Sequence, residues 1–586
     1  MKIKSLLIGM LACTALVGCT NNDDIDNVVP ENNEKNLYAI KINLNFPKNL
    51  DQSSRALAGF ADGTPAEHNV KNCIVRFYDA TKKYLGSTTM MEEHFKDVES
   101  ATDNITKAGE VTFRSVSKPA YVVAIVNDRT VTESLGNITE NTIDDLKNMV
   151  VYDEENALGS TTTSLVYPLS STANVKGENF LMTNSTYKNN NGEIIQEVRL
   201  PEGAVVEIEA SMTDKDAFAQ IKEPAVIYVE RVVAKVNLNM NLVAANNKEV
   251  TVEGKTGVYQ LKYTTTGEEE GNWAPYAIHV LGWGLNATNK SFYPLKKIQT
   301  SWDASWYGTG RSFWANDKNH GTAGTYLTTN LLKTPDFNYV STRYDLNYRK
   351  LGDITGAINT PEYCYENTVG ANPSDNSVTH AVIKVKYMEQ DANGNWNYVP
   401  EGQCVYRINQ VVWNETNFKK HIASYLIDKY IYKEGDVQLN QDALAEKLSF
   451  SVDAVTAEVS AINMANTVSV YEKDGKTQVT SSPNWKDVAN PGTIVAYEDG
   501  FCYYTIPIKH FEVAKNNEGH YGVVRNHWYE LTVTSIAGFG EPGTNNPIIP
   551  EEEQLKDWAV KCNINILAWS KVTQDNIEVG GGATWN

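Results

Sequence analysis

The chain is short of the residues and motifs that most chemistry requires. Its 586 residues hold seven cysteines and nine histidines, and no two cysteines stand in C-x-x-C spacing, which disfavours zinc ribbons and thioredoxin-type redox chemistry. Cys13 falls in a leader and Cys19 at its end. The remaining Cys73, Cys364, Cys404, Cys502 and Cys562 are odd in number and widely spaced, so they write no disulfide framework and read as small buried hydrophobes. H-E-x-x-H, G-x-S-x-G, P-loop and G-x-G-x-x-G patterns are all missing. Metal, acyl-transfer and nucleotide sites therefore lack their sequence form, no cofactor or metal is called for, and the chain reads as no enzyme. A carboxylate pair assembled by a β fold, as in glycosidases, would leave no mark in one sequence. Basic charge is scarce as well. Lys and Arg number 52 against 72 Asp and Glu, a formal net charge of −20, and with no compact Lys/Arg patch a nucleic-acid partner is excluded.

Long apolar runs are also lacking, apart from Leu6 to Val17, which follows Lys2 and Lys4. That run is long enough for a signal-peptide core and too short to span a bilayer. It ends in Leu16-Val17-Gly18-Cys19, which has the form of a bacterial lipobox, with Cys19 as the lipidated (palmitate-bearing) first residue after a signal peptide of residues 1–18. Asp23, Asp24 and Asp26 follow, either a surface-export tag or a solvated tether.

What the sequence has in plenty is short alternation. Hydrophobic residues make up 41% and charged residues 21%, enough apolar mass for true cores, and the length implies two to four domains at roughly 100–200 residues each. From Leu37 onward, period-two segments separated by Gly, Asn, Asp and Pro clusters dominate, so the chain is a β protein. Examples are Cys73 to Tyr78, Tyr121 to Val126, Ile227 to Met240, Ala381 to Tyr387, Phe501 to Ile508 and Trp528 to Ile536. Asp391 to Asn395 reads as a hairpin turn rather than half a calcium loop. Two helices are expected as covers on sheets, Thr142 to Val150 and Asn417 to Tyr432, the second through Phe418, Ile422, Tyr425 and Leu426. A composition shift near Pro224 marks a domain junction, and the proline-bearing Gly540 to Glu553 reads as an extended tether. Trp302, Trp306 and Trp314 lie in a Gly/Ser/Asn-rich stretch, where packing is favoured over a sugar-binding face.

The most informative segments stand at opposite ends. Tyr38, Ile40, Ile42, Leu44 and Phe46 alternate with polar residues, and Val560, Cys562, Ile564, Ile566 and Ala568 repeat that pattern after the tether. Each reads as a strand with one apolar face. Ser54-Arg55-Ala56 follows the first within a polar stretch, as an exposed proteolytic site would.

Together with Tyr121-Val122-Val123-Ala124-Ile125-Val126-Asn127-Asp128, Val229-Glu230-Arg231-Val232-Val233-Ala234-Lys235-Val236, the R-N-x-x-Y pattern of Arg525 to Tyr529, and Ala568-Trp569, these features resemble the Bacteroidia type V fimbrillins, most closely their minor-fimbria shaft subunit. The resemblance runs over nearly the whole chain except about Gly271 to Asn367 and the tail from Gly580. It implies an all-β fold of two tandem transthyretin-like β-sandwich domains with a few short helices. Residues 19–55 would be a lipidated propeptide with a removable strand (Tyr38, Ile40, Ile42, Leu44, Phe46), residues 56–225 and 226–540 the two sandwiches, and residues 541–586 a tether and donor strand (Val560, Cys562, Ile564, Ile566, Ala568). It further implies anchoring of the precursor in the cell outer membrane through Cys19, cleavage between Arg55 and Ala56 by an arginine-specific protease, and strand exchange into a surface fimbria. The partners would be other copies of the chain, accessory fimbrial subunits, and host or bacterial surface ligands in adhesion. A donor strand hung on a tether is expected to be dispensable for the folded monomer. The rival reading is a surface glycan-binding lipoprotein of a sugar-uptake system, which needs neither Arg55 nor a detached last strand.

Overall fold

A computed structural model of the chain describes residues 35–46, 67, 69–98, 105–128, 142–149, 151–152, 180–188, 193–262, 272–289, 291–298, 314–317, 346–370, 377–409, 411–481, 483–511, 517–548, 560–568 and 578–579. Cys19, Arg55 and Ala56 lie outside them, as do Trp302 and Trp306. The protein is all-β with a few short helices, built as sheets packed face to face.

The N-terminal sandwich begins with β1 (Asn36–Phe46) and continues through β2 (Asn72–Tyr78), β3 (Ile105–Ser115) and β4 (Tyr121–Val126). After α1 (Ile143–Asn148) come β5 (Met182–Asn184), β6 (Val205–Glu207), α2 (Asp214–Gln220) and β7 (Ala225–Arg231). A continuous ladder runs β2-β4-β5-β7-β1-β3 and folds back on itself, so that Phe77 of β2 stacks on Phe113 of β3 with ring centroids 4.4 Å apart. Between the two layers lie the side chains that the period-two pattern points inward: Tyr38, Ile40, Ile42 and Leu44 from β1, Cys73 and Val75 from β2, Val122 and Ala124 from β4. On α1 the Thr142 N–H donates to the Asp145 carboxylate at 2.8 Å, closing the first turn, and Ile143 and Leu146 are buried.

The stretch Ile227 to Met240 is two strands, not one. It breaks at Val232, between β7 and β8 (Val233–Met240); β7 packs in the first core, while Ala234, Val236 and Leu238 pack in the second. The second core lies between two sheets. One joins Glu362–Tyr365 to β8, and β8 runs parallel to the late strand His527–Ile536. The other contains β9 (Trp273–Asn286), β10 (His380–Gln390), β11 (Trp396–Tyr398) and β12 (Phe501–Pro507), and the strand His527–Ile536 is β13. Between β10 and β11 the Asp391 carboxylate accepts the N–H groups of Asn393 and Asn395 at 2.8 Å each, and Gly394 takes φ +88°, a hairpin turn.

A third core, which the sequence did not separate, is inserted between β11 and β12. Helix α3 (Glu415–Ile427), capped by the Asn414 side chain, places Phe418, Ile422, Ala423 and Leu426 against strands that include Cys404–Ile408. That strand packs on both faces: Tyr406 and Ile408 enter the third core, Val405 the second. Tyr425, expected on the packed face of α3, is 39% exposed, and the expected helix stops at Ile427 because Ile431–Glu434 enters a sheet.

The expected tether is packed over its first part. Glu541–Pro542 pairs with Cys502 and Tyr503 at a sheet edge, where a proline costs no ladder hydrogen bond. Phe539 and Ile548 are buried, and a Cβ on Gly540 would meet the Tyr503 carbonyl oxygen at 2.3 Å. The described chain ends at residue 548 and resumes at Val560.

Candidate functional site

The candidate site is the place that β1 fills. It pairs antiparallel with β3 over all eleven residues, from Asn36 opposite Ser115 to Phe46 opposite Ile105. On its other side it runs parallel to β7, from Ile42 opposite Ala225 to Asn45 opposite Tyr228, and antiparallel to β6 over Tyr38 to Ile40. It is therefore an inner strand. Ile40, Ile42 and Leu44 are fully buried and Tyr38 nearly so, while Lys41 on the outer face reaches Glu110 at 3.3 Å. Burying four such side chains contributes about 1.5–3 kcal/mol each, on the order of 10 kcal/mol before ordering costs. Taking β1 away would open an apolar groove and strand the N–H and C=O groups of β3 and β7.

After β1 the described chain resumes at Glu67, and residues 47–66, which contain Arg55, lie between. Glu67 is 1% exposed. Its carboxylate accepts from Lys235 Nζ at 2.8 Å and from the Tyr363 hydroxyl at 3.0 Å, and its carbonyl oxygen accepts from Arg231 Nε at 3.1 Å and Nη2 at 3.0 Å. The Lys235 ammonium also sits 4.0 Å from the centroid of the Trp528 ring. A cut at Arg55 would leave the new N-terminal segment held by Glu67, and β1 held by its ladders alone.

The second candidate strand, β14 (Val560–Ala568), is paired within its own chain. It runs antiparallel to β13, with Tyr529 opposite Ile566, Leu531 opposite Ile564 and Val533 opposite Cys562. On its far side, among the described residues, stands only the two-residue strand Glu578–Val579. The chain thus has an own-sheet partner for the segment that the sequence presents as detached.

The Arg525 to Tyr529 signature is a structural lock, as its place at a strand start implies. Arg525 is fully buried, donates to the carbonyl oxygens of Tyr293 (2.8 Å) and Pro294 (3.2 Å), and lies 3.3 Å from the Glu366 carboxylate. Asn526, at φ +57°, accepts from Arg231 Nη1 at 3.1 Å. The Tyr529 hydroxyl accepts the Val524 N–H at 2.9 Å and meets His510 Nδ1 at 2.7 Å. Three chain regions that sequence cannot connect meet here. Trp314 is buried and packs on Phe511 and against Gly522, where φ is +154° and a Cβ would come within 2.9 Å of the indole.

Cys73, Cys364 and Cys502 are buried and unpaired, and desolvation pushes their thiols well above the ordinary range. Because the thiolate is the reactive form, brief iodoacetamide treatment of the native protein at pH 8 should leave these three unlabelled, and treatment in denaturant should label all of them; mass mapping reads the difference. Rapid labelling of any of the three in the native protein would contradict the packing. Among the described residues no group of three His, Cys, Asp or Glu is placed to hold a metal ion, and no helix is long and apolar enough to cross a membrane.

Residues 495–575, which include β12, the Arg525 lock, β13 and β14, match the family model described as major fimbrial subunit protein type IV, fimbrillin, C-terminal. Through this stretch the chain carries a fimbrillin C-terminal region. No curated protein matches the sequence. Among solved structures, the chain is similar to a putative cell adhesion protein of Parabacteroides distasonis (13% identity, 91% of this chain and 99% of that one, TM-score 0.37). It is also similar to the fimbrilin FimA of Porphyromonas gingivalis (12%, 91% and 98%, TM-score 0.35), and to the tip fimbrial protein Mfa3 of the same organism (10%, 91% and 100%, TM-score 0.29).

Proposed function

We propose that this chain is a fimbrillin, a non-enzymatic subunit of a cell-surface fimbria that serves adhesion and is assembled by strand exchange. The precursor is exported, acylated at Cys19 and held at the outer membrane, then cut between Arg55 and Ala56 by an arginine-specific protease. The observation that carries this reading is β1: an inner strand of eleven residues joined to the body only through residues 47–66, which contain Arg55. Once released by the cut, β1 leaves a groove that an alternating strand of similar length can refill, and β14 offers five apolar positions at the same period. At home β14 has one long ladder to break, and residues 549–559 give it a reach of roughly 36 Å at full extension. Donation from one copy to the next is head-to-tail and does not close, so it yields a filament rather than a dimer. The units of assembly in this reading are the sandwiches of residues 56–225 and 226–540, the latter with its inserted third core, and the partners are further copies and accessory fimbrial subunits.

N-terminal sequencing of sheared surface filaments tests it. The expected first residue is Ala56, leaving 586 − 55 = 531 residues. Filament subunits that begin at acylated Cys19 would overturn the proposal.

A further inference from the structure

The outer face of the β9-β10-β12 sheet, away from the second core, carries a row of ammonium groups and rings that nothing in assembly requires. Lys255 Nζ lies 5.1 Å from the Tyr398 ring centroid, and Lys386 Nζ lies 4.8 Å from that ring and 4.5 Å from the ring of Phe501. Lys384 Nζ lies 5.4 Å from Phe501. The order is thus Lys255, Tyr398, Lys386, Phe501, Lys384. The strand registers produce it: Lys386 stands opposite Phe501 across β10 and β12, and Tyr398 stands on β11 opposite Met388, two residues further along β10. His279 of β9, opposite Lys386, stacks on Tyr398 with centroids 6.0 Å apart and bonds its hydroxyl, which fixes that ring.

All five members of the row are half-buried, so each presents one side to solvent. Among the described residues none of the three lysines makes an ion pair with a carboxylate. Desolvation draws Lys384 below the ordinary lysine range, with Asp353 as the carboxylate that opposes the shift. In a chain of net charge −20, three cations collected on one face without carboxylate partners are complementary to an anion. The rings between them narrow the choice. An acidic peptide carries its carboxylates on flexible stems, whereas a uronic acid places a carboxylate and an apolar ring face on one rigid unit. A linear polymer of such units can set its carboxylates beside the ammonium groups and its apolar ring faces along the edges of Tyr398 and Phe501, whose own faces the lysines and His279 cover. From the level of Tyr398 to that of Lys384 the row follows four residues of β10, about 13 Å. Tyr398 packs in one cluster with Trp396 and Val258, and Phe501 in another with Leu351, Ile354 and Ile548.

We infer that this row is a binding site for a linear acidic polysaccharide bearing carboxylates, the ligand surface of an adhesive subunit. It rests on the adhesive reading only for its purpose, since binding is measured on the unassembled full chain and assembly is scored separately. The test is isothermal titration with size-defined oligogalacturonate, its methyl-esterified form, and polyglutamate of matched charge. The expected result is binding of oligogalacturonate alone, weakened at least tenfold both in the Lys384→Gln/Lys386→Gln pair and in Phe501→Leu, and retained in Lys386→Arg, with thermal melts unchanged in the lysine variants. Equal binding of polyglutamate would reduce the face to an ion exchanger, equal binding of the ester would remove the role of the cations, and no binding, or binding indifferent to the variants, would remove the site. Each of these outcomes overturns the inference while leaving filament assembly untouched.

Discussion

Truncating the chain before Trp558 is expected to lower the melting temperature of the precursor by roughly 4–6 °C and to abolish filament formation. The first effect follows from the home ladder of β14. The cut removes nine paired residues opposite His527 to Ile536 and leaves an edge of β13 without backbone partners. A loss of about 3 kcal/mol is reasonable for such an opening, and divided by an unfolding entropy of about 2.1 cal/mol/K per residue over the sandwich of residues 226–540 it gives that temperature range. The sequence alone, which hangs this segment on a tether, pointed to a much smaller cost; the register of β14 on β13 reverses that expectation. The second effect follows from strand exchange, since the chain loses its donor. A peptide spanning residues 558–570, added in trans, should restore the melt by refilling β13's edge, yet leave the chains unable to polymerise. Ile564→Asp or Ile566→Asp should act in the same direction, because an unpaired carboxylate would have to enter an apolar groove at a cost of several kcal/mol. Lys561 and Asn565, on the other face, should tolerate Ala. Filaments that still form after protease treatment of the truncated chain would mean that donation runs through another segment. A melt indifferent to truncation would mean that β13 and β14 do not pair in solution.

Replacing Arg525 with methionine is expected to cost about 3–5 kcal/mol of stability, the range for breaking a buried ion pair from one side. The substitution keeps the volume but leaves the Glu366 carboxylate, 2% exposed, without its cation, and the carbonyl oxygens of Tyr293 and Pro294 without that donor. Adding Glu366→Gln should recover part of the loss, because the charge left behind, more than the missing attraction, dominates the single variant. Denaturant unfolding of the single and double variants measures both numbers. A single variant within 1 kcal/mol of the parent would show that Arg525 is no lock.

The legible part of this protein is its local part. Alternation at Tyr38, Ile40, Ile42 and Leu44 identified a one-faced strand, and each of the four is buried. The spacing of Phe418, Ile422 and Leu426 found the packed face of α3, although Tyr425 was assigned to it and faces out. A strand start with Arg525 and no nucleophile nearby read as structure rather than chemistry, and the hydrogen bonds around Arg525 show what it holds. Glu67 left no signal, because one glutamate in a polar stretch looks the same whether it is solvated or buried against Lys235 and Arg231. The lysine and ring row was equally silent: its members come from four separate stretches of chain.

The sequence by itself determined the period of each element, the sign of the charge, the absence of catalytic motifs, and the identity of the two alternating end segments. Those properties depend on neighbours one to four residues apart, which the order of residues states directly. Tertiary structure alone decided which strands pair. β1 lies between β3 and β7, β14 lies on β13, Cys404–Ile408 is shared by two cores, and residues 540–548 pack where their prolines suggested a free tether. A one-faced strand can satisfy its backbone and bury its apolar side against any sheet edge of matching register. The choice among edges is made by the summed packing of distant residues, and that sum exists only in the folded chain.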